Sequence, residues 1–244
     1  MKKALIVGGS NGIGLAIAHC LADLYAVTII DKCVPDPSVR ERVAFEQFDL
    51  TQADFSIFDK YADTDLLMIT AGFGRIGLFQ HMDENLIDAY FQVNTVAVIR
   101  IIKRFYGRLA GAEDFYCGIM GSIAGFMSSP FYSVYAATKA ALKIFVESVN
   151  VELEKAGSHN RILNVAPGSI KGTHFNGGTI NDTAGTTPLA RDIVRHLLSK
   201  DDLFIPDYDE VYRHVLERYH SDFRAEGRHS YDYKLESGRI TVKG

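Results

Sequence analysis

Tyr135 and Lys139, four residues apart in the stretch SPFYSVYAATKAAL (129–142), form a pair capable of proton chemistry. On a helix such residues share a face and lie about 6 Å apart along the axis, within the span of a lysine side chain. A phenol titrates near pH 10 when unperturbed, and bringing it to about 7 requires roughly 4 kcal/mol. One ammonium some 5 Å away supplies about 3 kcal/mol at an effective dielectric near 20, so a second positive charge nearby completes the requirement. A phenol tuned in this way takes a proton from an alcohol or gives one to a carbonyl oxygen. Tyr132 also precedes Lys139 on the lysine's face, but from about 10.5 Å along the axis, too far to share its field strongly. That leaves Tyr132 as a candidate for substrate contact only.

The elements that must position this pair follow from periodicity. Short apolar runs at 3–7, 26–31, 43–50, 65–70, 114–120, 161–166 and 203–206 alternate with stretches of helical period at 12–24, 83–106, 133–155 and 188–199. Alternating strands and helices predict an α/β chain: a doubly wound, Rossmann-type parallel sheet of about seven strands with helices on both faces. No linker or charge block divides residues 1–244, so a single domain is expected. Ligands of such sheets bind beyond the carboxyl ends of the strands.

Two features sit at such ends. The segment IVGGSNGIGLAIA spaces Gly8, Gly12 and Gly14 as G-x-x-x-G-x-G between the first strand and its helix. Glycine permits a positive φ there and lets backbone N–H groups approach a pyrophosphate at the helix N-terminus, although a tight strand-to-helix turn asks for glycine too. The second strand ends at Asp31, whose carboxylate can accept both ribose hydroxyls of the adenosine half of NAD and would repel a 2′-phosphate. Lys32 is adjacent and able to neutralise it. The expectation is NAD, with NADP the less favoured cofactor.

Taken together, the glycine loop, FDLT (48–51), TAG (70–72), FQVN ending at Asn94, GS ending at Ser122, YAATK (135–139) and APG (166–168) resemble the motif series of the short-chain dehydrogenases/reductases. The match in order and spacing runs from about residue 4 to residue 170. The resemblance implies an NAD-dependent oxidoreductase interconverting a secondary alcohol and a carbonyl, acting on a small molecule as a homodimer or homotetramer. It assigns Tyr135 as general acid/base, Ser122 as the ligand of the substrate oxygen, Lys139 as holder of the nicotinamide ribose, and Asn94 as anchor of a water in a proton relay. For the cofactor it implies Gly8, Ser10, Asn11, Gly12, Ile13 and Gly14, then Asp31, Asp49 and Leu50 towards the adenosine, Ala71 and Gly72 beside its ribose, and Pro167, Gly168 and Ile170 flanking the nicotinamide. An NADP-preferring reductase of the same family and a non-catalytic dinucleotide-sensing protein are the alternatives.

The pattern has departures. Val7 stands where the family usually has threonine, and Thr70 where asparagine commonly precedes AG. Gly172 occupies the position of a usual threonine contact to the carboxamide, with Thr173 one place later. Residues 171–187 contain many Thr and Asn with Gly172, Gly177, Gly178 and Gly185 and almost no apolar residues, so they are expected to form a mobile lid over the substrate. Residues 207–223 read as a C-terminal helix with Tyr208, Val211, Val215, Tyr219 and Phe223 along an apolar stripe, packing on the core or a second subunit, or lining the pocket. No role is assignable to the polar tail 224–244.

Composition limits the alternatives. A net charge of −4 with scattered basic residues carries no footprint for nucleic acid or for an acidic membrane surface. Cys20, Cys33 and Cys117 are widely spaced and read as buried free thiols; His214, His220 and His229 lack metal-ligand spacing and read as surface residues, so no metal is expected. The apolar run after the N-terminal lysines is too short for a signal peptide, and no segment approaches the roughly 18 apolar residues of a membrane span. A cytoplasmic protein is the expectation.

Overall fold

Along the first strand Leu5 and Val7 enter one apolar cluster while Ala4 and Ile6 enter another, and all four are buried. The fourth strand repeats this, with Leu67 and Ile69 on one side and Leu66 and Met68 on the other. Strands apolar at every position are strands covered on both faces. The computed structural model describes residues 1–170, 175 and 183–238. In chain order it contains β1 (Lys2–Val7), α1 (Gly12–Leu21), β2 (Tyr25–Asp31), α2 (Pro37–Arg40), β3 (Ala44–Gln47), β4 (Leu66–Ile69), α3 (Asn85–Phe91), α4 (Ala97–Ala110) and β5 (Tyr116–Met120). It continues with α5 (Ser133–Lys155), β6 (Ile162–Val165), α6 (Thr183–Leu198), β7 (Leu203–Phe204), α7 (Arg213–Ser221) and α8 (Phe223–Glu236).

The seven strands form one parallel sheet in the order β3-β2-β1-β4-β5-β6-β7. One face is covered by α4 and α5, through Ile101, Phe105, Leu142 and Val146; the other by α1 and α6, through Ile17, Leu21, Ile193 and Leu197. The doubly wound, single-domain expectation therefore holds. Winding reverses between β1 and β4, so the loops after these two strands diverge and leave a crevice at their carboxyl ends. No helix among the described residues is long and apolar enough to cross a membrane.

Local departures from the sequence reading are informative. The helix expected over 83–106 is split by a π-helical turn at Gln92–Val96 that joins α3 to α4 and contains Asn94. Helix α6 begins at Thr183 with Pro188 inside it, not at its head, and Thr186 is buried within the added turn. The lid expected over 171–187 lies largely outside the described residues, as do Gly172 and Thr173; Phe175 and the start of α6 are the described parts. Residues 207–223 are not one helix: a π-helical turn at Tyr208–Tyr212 precedes α7, and Asp222 breaks the chain to cap α8 through the amides of Arg224 and Ala225. The tail that suggested no role is thus mostly helical.

The strand that carries Ser122 is held at its start by one amide. Asn160 accepts from the Phe115 amide at 3.0 Å and donates to the carbonyls of Glu113 at 2.9 Å and Arg108 at 3.2 Å, satisfying the end of α4 and the entry to β5 together. Asn160→Ala strips these buried groups of their partner and is expected to lower unfolding stability by about 2–3 kcal/mol. Urea denaturation reads this directly, and an unchanged midpoint would remove the latch role.

Candidate active site

The crevice opens into a cavity of about 1170 Å³ along the carboxyl edge of the sheet. Every residue singled out from the sequence as a site candidate lines it except Ser10 and Asn94. Those two stand behind the wall and brace it. The Ser10 hydroxyl donates to the Cys33 carbonyl at 2.6 Å, and the fully buried Asn94 accepts from the Phe73 amide at 3.0 Å and donates to the Phe73 carbonyl at 2.9 Å. The π-helical turn sets Asn94 inside the fold in this way; such turns widen a helix by one residue and recur at functional sites.

Ser122, Tyr135 and Lys139 meet at the inner wall. Ser122 caps the short turn Ile123–Gly125, accepting from the Ala124 amide at 3.1 Å, and also hydrogen-bonds the Tyr135 phenol. Tyr135 and Lys139 lie one turn apart on α5, with Nζ 5.7 Å from the phenol ring centre and donating to the Met120 carbonyl at 2.7 Å. Burial pushes the Tyr135 phenol up; the Ser122 hydrogen bond opposes this, while the Tyr132 and Tyr90 phenols add to it. Burial likewise pushes the Lys139 ammonium down to about 8. At neutral pH the site therefore offers a protonated phenol beside a largely charged ammonium, which is a proton donor poised for an oxygen. Tyr132 lines the cavity edge-on to Tyr135, with ring centres 5.9 Å apart, and Phe175 covers Tyr135 from another side at 5.0 Å.

The floor suits a dinucleotide. Gly8 has φ +88° and a Cβ there would lie 2.4 Å from the Ala71 nitrogen, so only glycine lets the two loops close. A Cβ on Gly14 would strike the Gly8 carbonyl at 2.3 Å and the Thr70 hydroxyl at 2.4 Å. Thr70, the departure noted in the sequence, donates to the Gly8 carbonyl at 2.9 Å and serves as the brace. The Asn11 side chain does not cap α1 and the first turn of the helix holds no acidic residue, so its positive end, which lines the cavity, suits an anion. Asp31 accepts from the Ser10 and Cys33 amides, each at 3.0 Å, and forms no ion pair among the described residues. Lys32 acts instead on Asp49, whose carboxyl is held below the usual range first by the Thr51 amide. Cys117 is buried, but Cys20 is half-buried and Cys33 exposed and in the cavity wall, which corrects the expectation of three buried thiols.

The opposite wall contains residues that the sequence reading missed. Tyr212 presses on Gly168 so closely that a Cβ there would fall 1.7 Å from its hydroxyl oxygen. Val211 and Val215 line the cavity, Val211 while still exposed, and Tyr208 and Phe223 of the same expected stripe are exposed outside it. From α8, Glu226, His229, Ser230, Tyr233 and Lys234 face the cavity at helical spacing, so His229 belongs to the wall and not simply to the surface. A polar stripe at i, i+3, i+4, i+7 and i+8 was the signal available in the sequence.

Known proteins extend this picture. The family model described as short chain dehydrogenase matches residues 2–184. The uncharacterized oxidoreductase TDA5 of Saccharomyces cerevisiae is 29% identical over 184 residues, which take in 71% of this chain and 56% of that protein, so the chain spans little more than half of this relative. Among solved structures, a short chain dehydrogenase/reductase from Burkholderia phymatum in complex with NAD superposes with a TM-score of 0.75 at 18% identity, over 92% of this chain and 95% of that one. An alcohol dehydrogenase from the archaeon Thermococcus sibiricus, complexed with 5-hydroxy-NADP, gives 0.70 at 23% identity over 84% and 95%. At these identities the structural likeness is one of fold.

The buried lysine sets a stability test. Between about pH 8 and the ordinary lysine value near 10.4, the unfolded chain keeps a proton that the folded chain has released, so stability rises with pH across that window. Below it the full penalty of the buried charge is present. Lys139→Met is expected to be more stable than the parent at pH 7 by about 2 kcal/mol, after allowing for the lost bond to Met120. Urea unfolding at pH 7 and pH 10 should show that gain shrinking with pH; equal stability at both would contradict the burial argument.

Proposed function

The chain belongs to the short-chain dehydrogenase/reductase family, and we propose that it is an NAD-dependent oxidoreductase interconverting a secondary alcohol and a carbonyl compound. The observation that carries this reading is the meeting of Ser122, Tyr135 and Lys139 at the inner wall of a cavity whose floor suits a dinucleotide. Gly8, the start of α1 and Asp31 would hold the adenosine and pyrophosphate, and Lys139 with the Pro167–Ile170 loop the nicotinamide half. When bound, the nicotinamide supplies the hydride acceptor or donor and, in its oxidised form, a second positive charge beside Lys139.

In reduction, Ser122 would donate a hydrogen bond to the carbonyl oxygen and Tyr135 would give its proton to that oxygen. In oxidation Tyr135 takes the hydroxyl proton. The positive field of Lys139, whose Nζ lies 5.7 Å from the centre of the phenol ring, favours the phenolate that reduction leaves and that oxidation requires at its start. Asn94 and Lys139 both approach one point beside Gly72, within 3.2 Å and 3.4 Å of where a Cβ would be, which supports a water relay between them. Choice of NAD rests on Asp31: each oxygen spends one acceptor site on an amide, leaving the others for ribose hydroxyls and a negative charge against a 2′-phosphate.

Three measurements check this. Tyr135→Phe is expected to lose at least about a thousandfold in kcat while retaining NADH binding by fluorescence; turnover close to the parent rate would sink the mechanism. Alcohol oxidation should rise with pH until the phenol of the loaded enzyme is deprotonated, and carbonyl reduction should fall above that same pH, because one group serves both directions. Two limbs with unrelated midpoints would argue for another acid. NADH should bind at least about tenfold more tightly than NADPH, with the ratio narrowing in Asp31→Ala; a parent preference for NADPH would overturn the role of Asp31.

A further inference from the structure

Helix α8 docks beside the catalytic helix through three contacts. Tyr231 stacks on Phe131 at 4.5 Å, the Lys234 ammonium donates to the Ser129 hydroxyl at 3.1 Å and the Pro130 carbonyl at 2.9 Å, and a Cβ on Gly227 would sit 3.1 Å from the Ser128 hydroxyl. This fixes the polar stripe of α8 as the outer wall of the cavity. Facing it from α7 is Arg218, whose Nε and Nη2 donate to the two carboxylate oxygens of Glu226 at 2.7 and 3.1 Å. Burial pushes the Glu226 carboxyl up, but the hydrogen bonds and charge of Arg218, with His229 behind them, hold it below the usual range. Glu226 is thus ionised and committed to the guanidinium, which it locks in plane.

Glu226 occupies two of the five N–H donors of Arg218 and leaves the other edge of the fork. That side chain is half exposed, and His229 and Lys234 line the same wall. The wall therefore brings Arg218, Lys234 and His229 together beside one carboxylate already committed to Arg218. Between it and the Gly168 floor the lining is apolar, with Val211 from the π-helical turn and Val215 from α7.

From this arrangement we propose that Arg218, oriented by Glu226 and assisted by His229, is a carboxylate subsite, and that the substrate is a carbonyl or alcohol compound carrying a carboxylate across an apolar spacer. The substrate half of the statement rests on the oxidoreductase reading; the binding half does not. The test is a calorimetric titration with octanoate and with 1-octanol. The parent should bind octanoate at least tenfold more tightly than octanol, and the paired variant Arg218→Gln/Glu226→Gln, which leaves no buried charge unmatched, should bring that ratio close to one. His229→Glu, an exposed change that leaves the docking contacts of α8 in place, should also weaken octanoate relative to octanol. Equal binding of the two probes by the parent, or a ratio that survives both variants, overturns the subsite whether or not any ketone is turned over. Conversely, octanoate selectivity without turnover of keto acids by either nicotinamide cofactor would retain the subsite and count against the oxidoreductase reading.

Discussion

The structure depends on keeping one ammonium out of water. Lys139 is 3% exposed, yet at pH 7 it is mostly charged, and among the described residues its Nζ donates to the Met120 carbonyl at the end of β5. A charge so placed costs free energy unless its surroundings are fixed. Several close approaches provide that fixity. Gly125 allows the turn after Ser122 to come against the backbone of α5, where a Cβ would lie 2.7 Å from the Lys139 carbonyl oxygen, and Gly72 lets the loop after β4 pass beside Nζ. Glycines in these loops therefore act as clearance for a buried cation as much as for a ligand.

The inner half of the site was legible in the sequence for a physical reason: its parts are local. A loop after a strand, a residue ending a strand and an i, i+4 pair on a helix each read within about twenty residues, and the parallel sheet alone brings their ends together. Even the ambiguous assignments resolve into joint roles. Ser122 is both a turn cap and the partner of Tyr135, and Asn94 both belongs to a helix irregularity and holds Phe73 in the loop after β4.

The outer half was not legible because its contacts are long in sequence. Lys234 meets Ser129 across 105 residues, and Tyr212 meets Gly168 across a segment that looked only polar and glycine-rich. The apolar stripe expected over 207–223 left core packing and pocket lining both open, because apolar residues at helical spacing fit either. Here Val215 and the exposed Val211 line a cavity, while Tyr208 and Phe223 are exposed outside it. The polar stripe of α8 was the better clue, since a helix that packs with its polar face inward implies a wet or charged interior there.

Phe131 links the two halves and shows how they constrain each other. It is buried with φ +68°, a conformation that costs a non-glycine residue roughly 1–2 kcal/mol, and it immediately precedes Tyr132 at the start of α5. Its ring stacks on Tyr231 and its carbonyl accepts from the Gly77 amide at 3.0 Å, so the strain is held by contacts from α8 and from the loop after β4. Strained backbone persists where its surroundings over-determine it, and such places cluster at ligand sites. Helix α5 thus takes its first turn from a residue clamped by α8 and by the loop after β4. Alterations in α8 should therefore reach Tyr132 and Tyr135 through Phe131 as well as through the cavity, which ties the outer wall of the cavity to the placement of its inner phenols.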